Sequence, residues 1–410
     1  MRSRRTRRTR HAQALTRTLT TLARPRASLA ATAAMLVAAA CLAAPDGAAR
    51  AQGHAPQAQA QGRTSEWARS RTSEWAQGHA SEWGQGPGPS RACSPRVSIE
   101  GFSDALDKGD HDGVFTGNLS ALAVDRDGTL AALSDRSVLF GLTLRDGVPR
   151  TTGAVRLADE QGAALDAEGL AVERSGARLV AAEGEPAVRR YDRDGTLRGR
   201  LPVPAALRVA PAGRARSNQT FEGLTLRPGG ATLIAAMEGQ LSGDGADAEG
   251  RPLLRLQTWQ RERWHRDDFR LGAQWGYPVD AGLGVSEIAA APGGRLLVLE
   301  RGFTAGVGNT VRLYLADPRR AGDVGGVENL TASSGARFVR KSLLADLVDC
   351  PSLGASAKQP QPNPLLDNIE GMAVLGPARG GRLRVLLVSD DNESARQTTR
   401  FYSLTVAARP

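Results

Sequence analysis

The chain reads as an all-β protein, a single β-propeller of five or six blades with long loop insertions. Three observations predict this: a β-hairpin unit that recurs along the sequence, apolar runs of four to eight residues punctuated by turns from residue 95 to residue 410, and the near absence of helical periodicity.

The recurrent unit is clearest in Asp166-Ala-Glu-Gly-Leu-Ala-Val172, Thr220-Phe-Glu-Gly-Leu-Thr-Leu226 and Asn368-Ile-Glu-Gly-Met-Ala-Val374. Two weaker copies are Asn118-Leu-Ser-Ala-Leu-Ala-Val124 and Gly284-Val-Ser-Glu-Ile-Ala-Ala290. Each is followed by a Gly-containing turn and a second apolar run ending on an acid: Asp135, Glu183, Glu238, Glu300 or Asp390. Short β-rich runs flanking a Gly turn signal a hairpin. With Leu122, Leu170, Leu224, Ile288 and Met372 as anchors, the intervals are 48, 54, 64 and 84 residues. The first two lie near the period of four-stranded propeller blades, and the later ones require insertions. One hairpin cannot bury its apolar face, so the units are expected to close around a shared axis.

The chain begins with a segment that does not belong to that domain. Residues 1–27 carry nine arginines and no acid, and Ser28–Ala44 is a short Ala-rich apolar run. This is the pattern of a secretory signal peptide, assigned to residues 1–44, and it implies a secreted protein without a transmembrane span in its mature form. Lipid anchoring at Cys41 is not expected, because the Leu-like residue usually required before the small pair is missing. Removing the leader lowers the net charge from +10 to about +1, so the basic balance does not indicate a nucleic-acid partner.

Residues 45–92 read as a low-complexity linker, in which Arg63-Thr-Ser-Glu-Trp-Ala68 repeats as Arg71-Thr-Ser-Glu-Trp-Ala76. Its composition cannot build a core. Trp67, Trp75 and Trp83 could stack on a glycan, or the repeats could be slippage products in a tether.

The propeller domain is assigned to residues 93–410 and is expected to be monomeric. Gln240–Gly282 and Phe303–Asn368 depart from the repeat and read as long loops, with a short amphipathic helix near Phe338–Val348. Gly243-Asp-Gly-Ala-Asp-Ala-Glu-Gly250 reads as a solvated acidic loop. Cys93 and Cys350 are an even pair in an oxidising compartment, which favours a disulfide over two unpaired buried thiols.

The chemistry of this domain should rest on carboxylates. By the two-residue strand period, Glu168, Glu222 and Glu370 share the face of the Leu or Met two positions later. In a propeller they would gather at one opening of the central channel, with Asp135 and the other hairpin-ending acids as a second set. Clustered carboxylates need cations or Arg partners, and Ca²⁺ suits such oxygen ligands. The metal candidates are therefore Asp135, Glu168, Glu222 and Glu370. Arg136 and Arg301, each directly after an acid, could neutralise that acid or grip a phosphate. Only His111 and His265 fall in the domain, which disfavours a zinc site. No Gly-x-Ser-x-Gly elbow, phosphate-cradling Gly loop or dinucleotide fingerprint is present.

The Glu-Gly-Leu repeats, Leu133-Ser-Asp-Arg136, and Ile369-Glu-Gly-Met372 followed by Ser389-Asp-Asp391 resemble the phytase-like domain of secreted bacterial proteins, the "esterase-like activity of phytase" family. The likeness spans roughly Val97 to Val406. It implies a β-propeller that hydrolyses phosphate monoesters or other esters of small molecules. It further implies calcium at the channel mouth, binding substrate and activating water as in propeller phytases. Two other expectations are a non-catalytic extracellular propeller that binds a wall polymer or a protein partner, and a lactonase-like calcium propeller.

Overall fold

The computed structural model describes residues 91–261 and 268–408. The expected signal peptide, Cys41, the Trp repeats, all but the last two residues of the expected linker, and His265 lie outside the described residues.

Five four-stranded antiparallel sheets follow one another along the chain. Blade I is β4 (Leu119–Val124), β5 (Leu130–Ser134), β6 (Val138–Arg145) and β7 (Val148–Arg156). Blade II is β8 (Ala167–Val172), β9 (Arg178–Ala182), β10 (Ala187–Tyr191) and β11 (Leu197–Arg200). Blade III is β12 (Phe221–Leu226), β13 (Thr232–Met237), β14 (Leu253–Arg261) and β15 (Phe269–Pro278). Blade IV is β16 (Gly284–Ala291), β17 (Arg295–Thr304), β18 (Gly308–Asp317) and β19 (Arg340–Asp346). Blade V takes β20 (Asn368–Pro377), β21 (Leu383–Asp390) and β22 (Phe401–Val406) from the end of the chain and its outermost strand, β1 (Val97–Ser103), from the start. A small ribbon, β2 (Asp110–His111) with β3 (Val114–Phe115), precedes blade I.

Neighbouring first strands meet in the order β4, β8, β12, β16, β20 and back to β4, so the ring is closed with five blades. The sheets pack face to face through five apolar cores, one per blade junction. Each core contains one anchor of the sequence repeat: Leu122, Leu170, Leu224, Ile288 or Met372. The repeat therefore encodes an interface as well as a hairpin. A blade with two apolar faces is stable only between two others, and closure leaves no end unpaired. The junction is sealed by β1 pairing with β22 and by the Cys93–Cys350 disulfide, as the cysteine pair implied.

The insertions are more ordered than the sequence implied. Gln240–Gly282 and Phe303–Asn368 are not loops throughout, because β14, β15, β18 and β19 form within them. The expected helix near Phe338–Val348 is instead strand β19 followed by a single 3₁₀ turn, Leu347–Asp349. An edge strand half-buried against a sheet can mimic a short helical stripe over so few residues. The acidic Gly loop is not simply solvated either. The Asp244 side chain is buried and receives Arg255 Nε at 2.8 Å.

Candidate functional site

All five first strands carry a β-bulge at the same point of the repeat. The register shifts fall at Ser120, Glu168 and Ser286, within Glu222–Gly223, and at Glu370. A bulge adds one residue and re-aims its side chain. The expectation that each Glu shares the face of the residue two positions later is therefore overturned. Leu170, Leu224 and Met372 enter the inter-blade cores, whereas Glu168, Glu222 and Glu370 line an axial cavity of about 500 Å³.

The following glycine has a packing reason. A Cβ on Gly169 would lie 2.4 Å from the Glu222 carbonyl oxygen, and one on Gly223 would lie 2.6 Å from the Ile288 nitrogen. The Glu-Gly pair thus turns an acid to the axis and lets the next blade approach at the same step. Two blades lack the glycine: blade I has Ala121 at that position, and blade IV departs further. Its Glu287 occupies the glycine position, is buried, and accepts the amides of Leu224 at 3.0 Å and Ile288 at 2.9 Å. Glu287 and Ser286 do not line the cavity.

The residue at the end of each second strand forms a second tier. Asp135 donates its amide to Asn118, Glu183 to Asp166, and Glu238 to Thr220, while Asp390 pairs with Asn368. The equivalent pair in blade IV is Gly284 with Arg301. Glu300, expected in this set, points the other way. It is buried with Tyr277 Oη at 2.6 Å, Lys341 Nζ at 2.5 Å and the Asp280 amide at 2.9 Å. One residue of register exchanges the two faces of a strand, so the channel receives a cation where the other blades supply an acid.

Among the described residues the cavity wall therefore holds eight carboxylates, from Asp135, Asp166, Glu168, Glu183, Glu222, Glu238, Glu370 and Asp390, and a single guanidinium, from Arg301. Asp166, Glu168 and Glu183 can bring oxygens within 4.8 Å of one another, as can Glu183, Glu222 and Glu238. Glu183 is common to both trios. On the opposite side Arg301 Nη2 lies 3.0 Å from Glu370 Oε1, which also accepts from Asn368 Nδ2 at 2.9 Å. Oδ1 of Asp135 and Oγ of Ser120 are buried without hydrogen-bond partners. Asn218 and Asn392, also in the wall, have φ of 57° and 47°, a left-handed conformation often found at binding sites.

The acids crowd one another, most of them buried, and their acidities respond. Burial, then repulsion from Glu370, raises Glu168 well above the usual carboxylate range, and burial with repulsion from Glu168 does the same to Glu222. Burial raises Glu183 to about 7 against the opposing Thr220 amide. Asp135 is pushed to about 7 by burial and Asp390, and Asp390 to about 8 by burial and Glu370. Burial also raises Glu238 and Glu370, and Arg301 works in the opposite sense, offsetting part of the rise at Glu238, Glu370 and Asp390.

Of the residues singled out in the sequence, Asp135, Glu168, Glu222, Glu370 and Arg301 meet in this cavity. Arg136 does not line it. Its side chain is more than half exposed, 3.6 Å from Asp135 and 3.5 Å from Glu393. Asp166 was overlooked, although it opens the strongest copy of the repeat. The carboxamides of Asn218, Asn309, Gln359, Asn392 and Gln397 were also missed, since they come from loops with no shared motif.

The sequence matches the family described as phytase-like, esterase-like activity of phytase, over residues 115–393. No curated protein shows significant sequence similarity to the chain. Solved structures with related chain traces include hydrazine synthase of Kuenenia stuttgartiensis, at 13% identity and TM-score 0.33, covering 70% of this chain and 84% of that one. A gluconolactonase of Xanthomonas campestris aligns at 14% identity and TM-score 0.33, covering 72% and 74%. An inactive virginiamycin B lyase of Staphylococcus aureus with quinupristin aligns at 11% identity and TM-score 0.32, covering 71% and 82%. At these scores the likeness says nothing about activity. The family match spans most of the propeller, including all five Glu or Ser bulges and the hairpins that carry them: this chain belongs to the phytase-like family.

Proposed function

We propose that the protein is a secreted hydrolase of phosphate or carboxylic esters that works with Ca²⁺ in the axial cavity. The observation that carries this reading is the imbalance of eight carboxylates against one guanidinium in one cavity. Such a set cannot stay ionised without further positive charge. The donor chemistry fits a hard cation, being all oxygen, with two trios close enough to share ions. Glu168, Glu222, Asp166, Glu183 and Glu238 are the proposed ligands, with Asp135 and Glu370 across the cavity completing the acidic ring.

A bound Ca²⁺ would supply Lewis-acid polarisation of an ester oxygen and lower the pKa of a coordinated water. The remaining roles belong to side chains. Arg301, held by Glu370, is placed to receive a negatively charged substrate oxygen. Asp390, pushed to about 8, carries a proton at neutral pH that it can deliver to a leaving oxygen. Asp135, at about 7 and with an oxygen that accepts no hydrogen bond, can accept one from water. No catalytic histidine is needed. Arg136, on the rim, is left to attract anionic substrates rather than to contact the reacting group.

The test is calorimetric titration of the purified protein with CaCl₂, beside Glu183→Gln and Glu222→Gln, followed by a panel of phosphate esters, carboxylic esters and lactones. Micromolar binding in the parent, lost in both variants, and calcium-dependent turnover of one ester class are the expected results. A parent that binds no calcium would end the metal mechanism and leave a binding propeller.

A further inference from the structure

The β17–β18 hairpin runs past the level of Arg301, continuing to Thr304 on one strand and starting at Gly308 on the other. In this extension Phe303 pairs directly with Asn309. Opposed residues of an antiparallel ladder present their side chains on one face, and both line the axial cavity. Their surroundings differ sharply. Phe303 is 56% exposed, while Asn309 is 1% exposed and neither its Oδ1 nor its Nδ2 has a hydrogen-bond partner. A buried carboxamide left unpaired carries its full desolvation cost, and an exposed aromatic at a cavity mouth marks a contact surface.

The hairpin is held in place from outside. Gly308 has φ of 111°, and a Cβ there would lie 2.4 Å from Gln361 Oε1. The same oxygen accepts the Asn309 amide at 2.8 Å. Gln359, two residues earlier on that segment, also lines the cavity. The pair is thus fixed by its backbone before any ligand arrives, which reduces the ordering cost of binding.

The wall around this pair suits an uncharged ligand rich in hydroxyl groups. Carboxylates accept hydrogen bonds from hydroxyls, and carboxamides both donate and accept. A ring with free hydroxyls could use all of these groups and lay its C–H face on Phe303. A ring with every hydroxyl phosphorylated would bring only negative charge to an acidic wall with one guanidinium. We propose that Phe303 and Asn309 form a subsite for a hydroxylated ring, a pyranose or cyclic polyol, which stacks on Phe303 and hydrogen-bonds to the Asn309 carboxamide. The inference rests on this cavity being the ligand site, as in the reading above, but needs neither calcium nor ester cleavage.

The experiment is ligand-observed NMR titration of the full chain in EDTA with methyl β-D-glucopyranoside and myo-inositol, using glycerol as the acyclic control. The rings should bind and glycerol should not. Phe303→Ala should weaken ring binding about fivefold to tenfold, the size of one aromatic contact, while Phe303→Tyr stays within about twofold. Asn309→Leu, similar in size but without polar atoms, should also weaken it. Phe303 is exposed, so its variants should melt with the parent, which separates lost contact from lost fold. Absence of ring binding in the parent, or unchanged binding in Phe303→Ala, overturns the subsite. Ring binding without calcium-dependent turnover sinks the hydrolase reading alone, and turnover without ring binding sinks the subsite alone.

Discussion

Arg301→Met tests the electrostatics of the cavity without reference to any ligand. Methionine keeps most of the side-chain length and removes the only guanidinium in the wall among the described residues. At pH 8 Asp135 and Glu183, at about 7, are mostly ionised and Asp390, at about 8, is half so, and Arg301 partly offsets the upward push that burial gives Glu238, Glu370 and Asp390. Removing one partner of a buried pair of this kind costs about 3–5 kcal/mol. At pH 5 the balance changes, because acids raised to about 7 or 8 hold their protons and Arg301 becomes a buried charge with little to pair with. The same substitution should then cost about 1 kcal/mol or less. Urea unfolding in EDTA at the two pH values measures both losses directly. Equal destabilisation at pH 5 and pH 8 would refute the argument, since it would mean that Arg301 contributes packing alone.

Two further expectations concern the acid ring and its packing. Asp390 has a folded-state pKa of about 8 against an ordinary value of 3.8, so the folded state binds the extra proton and its metal-free stability should fall as pH rises from about 4 to 8. Asp390→Asn should therefore stabilise the metal-free protein by up to about 5 kcal/mol at pH 8 and change little at pH 4, and a loss of stability at pH 8 would reverse the assignment. Gly223→Ala should cost about 2–3 kcal/mol in urea unfolding, because its Cβ would lie 2.6 Å from Ile288 N and 2.9 Å from the Glu287 carbonyl carbon, both of them backbone atoms. A neutral result would show that blades III and IV can part without penalty.

The amino-acid sequence by itself determined the unit and its repetition. Leu122, Leu170, Leu224, Ile288 and Met372 mark the five blade junctions because a hairpin must bury an apolar face against its neighbour. The turn glycines and the Cys93–Cys350 pair were legible for similarly local reasons. Which side chains reach the axis was decided only by tertiary structure. Glu168 faces the cavity through a bulge, and strand alternation alone puts it on the wrong face. Leu299-Glu-Arg301 offers an acid and a base in adjacent positions, and only the pairing of Arg301 with Gly284 sends the base to the channel and Glu300 to Lys341. The amide wall is assembled from loops remote in sequence, and Asn309 meets Phe303 only when the hairpin is paired and Gln361 closes over it. Hydrophobic period is a property of neighbouring residues and can be read along the chain. The sharing of one small cavity by eight carboxylates, six carboxamides and one arginine depends on ring closure and register, which no local pattern records.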